Sequence, residues 1–72
     1  MRRLPKKLEI VSHLEDLIIE CSVLGEDHEV EKFSEMAKKI RHEIKVFENA
    51  GYNLQLIKEH YSDLVHIYSN FQ

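Results

Sequence analysis

The side chains able to do chemistry in this chain are few: one cysteine, five histidines and 13 carboxylates among 72 residues. Cys21 is the only candidate nucleophile of thiol type. A reactive thiol needs a nearby base and some exposure. Cys21 instead falls on an apolar helical seam, which predicts a small buried side chain. It has no partner for an intrachain disulfide, which fits a reducing compartment.

Metal binding by the histidines would need a set spacing. Helical bundles hold metals through carboxylate-x-x-His pairs on facing helices. The residues three before each histidine are Ile10, Gly25, Lys39, Ile57 and Asp63, so only Asp63–His66 has the pattern, without a second copy. Glu59, Asp63 and His66 share one face, which lies away from the apolar seam of their helix and reads as solvated surface. There is no His-x-x-x-His, and one cysteine excludes Cys/His zinc spacing. Gly25 and Gly51 are the only glycines, each read as ending a helix, so no phosphate-cradling loop exists. The expectation is a protein that is not an enzyme and uses no cofactor and no metal.

What remains is surface. Ile19 and Val23 lie off the seam of the first helix, one turn apart, as an anchor for a partner. The third helix carries Tyr61, Val65, Ile67 and Tyr68 on an apolar face wider than a narrow seam needs, and tyrosine suits interfaces. These six residues form the expected partner-binding set. Lys32, Lys38, Lys39 and Lys45 are read as a basic outer stripe of the second helix with Arg41 nearby, and Arg2, Arg3, Lys6 and Lys7 as a basic arm. That stripe supports an alternative contact with nucleic acid or an acidic protein. Against nucleic acid stand the net charge of −3 and the interleaved Glu31, Glu35 and Glu43.

Three helical segments must position these residues. The first seam reads Ile10, Leu14, Leu17, Cys21, Leu24; the second Val30, Phe33, Ala37, Ile40, Ile44, Phe47; the third Leu54, Ile57, Tyr61, Leu64, Tyr68, Phe71. All alternate spacings of three and four, the signature of one helix face. Pro5 suits a first turn and Gly25 a helix end; Asp27 and Asn53 are expected N-caps. The boundaries read about 5–24, 28–49 and 54–71. The rhythm slips by one residue after Phe47, and Gly51 stands at the slip, so two helices are favoured over one long one. The expected fold is all-α, one domain over 1–72: an up-down-up three-helix bundle. The alternative is a helical hairpin whose long second helix dimerises.

No run approaches the ~20 apolar residues of a membrane span. The basic start is not followed by an apolar signal-peptide core, because Glu9, Ser12, His13, Glu15 and Asp16 interrupt it. The expected location is therefore cytoplasmic. Taken together, the residues point to a small non-enzymatic protein–protein interaction module of adaptor, inhibitor or co-chaperone type. Its expected partner is another protein or a second copy of itself, with no membrane involved; the alternative is a small nucleic-acid-binding regulator.

Overall fold

A computed structural model describes residues 6–68. It is an all-α three-helix bundle: α1 (Lys7–Glu26), α2 (Val30–Asn49) and α3 (Gln55–Ile67), with no strand among the described residues. Pro5, the Arg2–Arg3 part of the basic arm and Phe71 lie outside those residues. No described helix is long and apolar enough to cross a membrane.

The core is the set of seams. Ten hydrophobic side chains are buried: Ile10, Leu14, Leu17 and Cys21 from α1; Phe33, Ile40 and Ile44 from α2; Leu54, Ile57 and Leu64 from α3. Every one is a seam residue. Val30 departs from the pattern, being exposed at the first turn of α2. Two 20-residue helices of ~30 Å are joined by a short turn, so α2 runs back along α1. The next short connection returns α3 parallel to α1.

Both turns use the same device. At the end of α2, the Tyr52 N–H donates to the Phe47 carbonyl (3.1 Å) and the Gly51 N–H to that of Glu48 (3.0 Å). This pair of bonds satisfies carbonyls at the helix end and requires a left-handed residue between them. Gly51 supplies it, with φ 103°. The Tyr52 ring closes the motif edge-on against Phe47, centroids 6.1 Å apart. The chain therefore breaks at Gly51, and α2 and α3 are separate helices.

The end of α1 repeats this bond pattern with a different residue at its centre. Glu29 N–H donates to the Leu24 carbonyl (3.0 Å) and His28 N–H to that of Gly25 (3.1 Å). His28 is the left-handed residue, φ 59°. This corrects the expectation that Gly25 ends the helix: Gly25 is buried inside the last turn of α1. A Cβ there would lie 2.9 Å from three ring carbons of Tyr68. Glycine is needed for the close approach of α3, not for the turn. Asp27 in turn follows α1 as its C-cap, and Glu29 precedes α2 with no side-chain capping bond. Asn53 does accept a bond from the Gln55 N–H at 3.2 Å, at the start of α3.

A side-chain ion pair crosses each helix pair. His13 Nε2 meets Glu43 Oε1 at 2.7 Å between α1 and α2. Lys58 Nζ lies 3.0 Å from Glu48 Oε2 between α3 and α2. His60 Nδ1 lies 3.7 Å from Glu15 Oε2 between α3 and α1. Exposed pairs of this kind contribute ~0–1 kcal/mol each; they fix register more than stability.

Candidate functional site

The buried arc of α1 leaves Leu8, Ile19 and Val23 outside. Eleven residues are three turns plus about 20° of rotation, so Leu8 and Ile19 share a stripe, with Val23 one turn beyond. On α3, Leu56 and Ile67 are also 11 apart and share a stripe. Their exposures are Leu8 79%, Leu56 70%, Ile67 65%, Ile19 61% and Val23 50%. Only two other large hydrophobics among the described residues are exposed, Val30 and Val46, both on α2.

One residue of each stripe, Ile19 on α1 and Leu56 on α3, lines a cleft between the two helices. Toward the helix N-termini, α1 and α3 enclose a cleft of about 260 Å³ lined by Lys7, Val11, Glu15, Leu56, Ile57 and His60, among others. The adjoining cleft, about 270 Å³, is lined by Ser12, Glu15, Asp16, Ile18, Ile19 and His60. They share Glu15 and His60, so the groove runs over that contact. At the other end Tyr68 closes α3 onto Gly25.

Of the expected partner set, Ile19, Val23 and Ile67 are exposed, and Ile19 lines the cleft beside His60. The other three serve the interior to a larger degree. Tyr68 is half-buried, stacked on Gly25 and edge-on to Phe33 with centroids 5.4 Å apart. Tyr61 is half-buried on the α2–α3 side beside Arg41. Burial pushes its hydroxyl pKa up, Arg41 opposes that, and Cys21 adds to it. Val65 is half-buried. Leu8 and Leu56 lie outside the expected set; the sequence signal for each is its 11-residue spacing, from Ile19 and from Ile67.

Cys21 is fully buried, its thiol donating to the Phe33 carbonyl at 3.7 Å, and burial raises its pKa to about 11. A thiol held protonated in this way is a core side chain. Glu59, Asp63 and His66 are all exposed.

The basic residues of α2 do not form the single stripe expected. Lys32 and Lys39, seven apart, flank a cleft with Leu24, Glu35 and Met36 on the α1 side. Arg41 and Lys45 line a cleft of about 320 Å³ with Ile44, Glu48, Lys58 and Tyr61 on the α3 side. Lys38 points outward between them, since it shares a stripe with Lys45 and lies about 100° from Lys39. Carboxylates sit within both flanks, so no continuous track for a phosphate backbone is assembled.

No family model matches the chain, and no curated protein or solved structure matches it either.

Proposed function

We propose that this chain is a small protein–protein interaction module without catalytic activity, which lays its α1–α3 face on a larger protein and so modulates it. The observation that carries this reading is the set of exposed aliphatics on α1 and α3: Leu8, Ile19, Val23, Leu56 and Ile67 are five of the seven exposed large hydrophobics, and Ile19 and Leu56 line the clefts between the two helices. Single exposed aliphatics are ordinary. A polar-rimmed set on two neighbouring helices of so small a bundle is the pattern of an interaction site.

The test is the double variant Ile19→Asp, Val23→Asp. Both side chains point to water, so the far-UV helical signal should be retained. The partner is captured from source lysate with the unaltered chain, then titrated against both proteins. The expected result is a loss of at least tenfold in affinity, about 1.4 kcal/mol. Equal affinity, or a captured species that disappears on nuclease treatment, would remove the face from this role.

A further inference from the structure

We infer that the occupant of the α1–α3 groove is a basic amphipathic helix of another protein, not a second copy of this chain. The inference rests on the docking reading above and adds the chemistry of the partner.

The groove has the shape for a helix. Two parallel helices leave a furrow between them, and a fourth helix laid there completes a four-helix arrangement. Its apolar anchors repeat: Leu8 and Ile19 on one bank, Leu56 and Ile67 on the other, each pair about 16 Å apart at 1.5 Å per residue.

Charge decides what kind of helix fits. On the α1 bank, Glu15 and Glu26 fall in the same stripe as Leu8 and Ile19, at offsets of seven and 18 residues from Leu8. On the α3 bank, Asp63 lies two turns from Leu56 and one turn before Ile67. Asp16 lines the groove as well. Among the described residues, Asp16, Glu26 and Asp63 are in no ion pair. The one lysine of α3, Lys58, is engaged by Glu48 on the opposite flank. Apolar anchors thus alternate with carboxylates, of which Glu15 is paired with His60 and the others, among the described residues, are free, and Lys7 is the one lysine lining the groove; this matches a helix whose apolar stripe is bordered by lysine or arginine.

A second copy fits poorly. A twofold interface sets the same patch against itself, placing acidic bank on acidic bank. The basic helix of a second copy, α2, offers no matching stripe either. Its exposed hydrophobics Val30 and Val46 are 16 residues apart and therefore on nearly opposite sides of the helix.

The experiment uses three fluorescein-labelled 18-residue peptides. One has leucines on one helical face and lysines elsewhere, the second replaces lysine by glutamate, and the third scrambles the first so that its leucines surround the helix. Binding to the whole chain is read by anisotropy at about 50 and 200 mM salt, a range in which charge attraction between exposed groups is progressively screened. The lysine peptide should bind at least tenfold more tightly than either other peptide. Leu56→Ser and the pair Glu26→Gln, Asp63→Asn should each weaken it several-fold while helicity stays constant. Preference for the glutamate peptide overturns the charge of the occupant and leaves the docking reading standing. Equal binding of the scrambled peptide, or none of the lysine peptide, overturns the inference; the Ile19/Val23 titration still decides the docking reading by itself. Concentration-dependent dimers abolished by Leu56→Ser would assign the groove to a second copy, also overturning it.

Discussion

Raising the pH should destabilise this domain through Cys21. The thiol is fully buried with only the Phe33 carbonyl as polar partner, and burial lifts its pKa from 9.0 to about 11. In the folded state it keeps its proton up to about pH 11; in the unfolded chain it starts to lose it near pH 9. Between those values the unfolded state binds fewer protons, so stability falls as pH rises. Below pH 9 the contribution is fully present. Linkage between the two values gives a loss on the order of 1 kcal/mol at pH 10, growing to roughly 2–3 kcal/mol well above pH 11. A core of this size supplies ~3–5 kcal/mol in all, and each kcal/mol moves Tm by roughly 4–8 °C. Melting followed by far-UV circular dichroism at pH 7 and pH 10 should therefore show a drop of several degrees from this group. Tyr61 also has a raised pKa and adds to the drop, so the comparison is with Cys21→Ala. That variant starts less stable because of the cavity it leaves, but its pH 7 to pH 10 loss should be smaller by on the order of 1 kcal/mol. In parallel, a thiol reagent at pH 8 should label the native protein more than a hundredfold more slowly than the unfolded chain. Equal alkaline losses in the two proteins, or prompt labelling of the native state, would refute the reasoning.

The two left-handed residues predict opposite signs. Gly51→Ala forces a Cβ into φ 103° and should destabilise by about 1 kcal/mol or more, whereas His28→Gly relieves φ 59° and should stabilise by up to about 1 kcal/mol; urea midpoints at constant m-value check both. Gly25→Ala would set a methyl 2.9 Å from the Tyr68 ring. It should destabilise by ~1–3 kcal/mol as an overpacked contact, despite the better helix propensity of alanine, and in a Tyr68→Ala background the same substitution should cost much less in the same assay.

The fold was legible because its signal is local. A period of three and four residues reports which side of each helix is dry, and all ten buried hydrophobics were read from it. The Gly51 break was legible for a related reason: the phase slip and the glycine coincide in six residues. Gly25 was misread because a glycine after an apolar seam has two physical uses. Which one applies depends on Tyr68, 43 residues away, and no local pattern carries that distance. The same limit hid the polar contacts His13–Glu43 and His60–Glu15, and the division of the lysines between two flanks. Helix period fixes a residue's angle about its own axis, not where the neighbouring helices stand around it. Ile19 and Val23 could be read as outward-facing; that Leu56 and Ile67 stand beside them needed the parallel placement of α1 and α3.

That placement inverts an ordinary preference, and the inversion is what argues for function. Tyrosine carries a polar handle and suits a wet edge, whereas leucine and isoleucine have nothing to offer water. In α3 the tyrosines Tyr61 and Tyr68 are half-buried against the core, while Leu56 and Ile67 stand in solvent at 70% and 65% exposure. Neither aliphatic contributes to the buried cluster, and polar residues at both positions would serve the fold as well and solubility better. Departures from local consistency of this kind concentrate where a protein does something besides fold. Leu8 and Ile19 repeat the departure on α1, at the same 11-residue spacing and beside the same groove. Two helices breaking the rule at the same spacing, with carboxylates between the apolar positions, are the features on which the proposed docking of a partner helix rests.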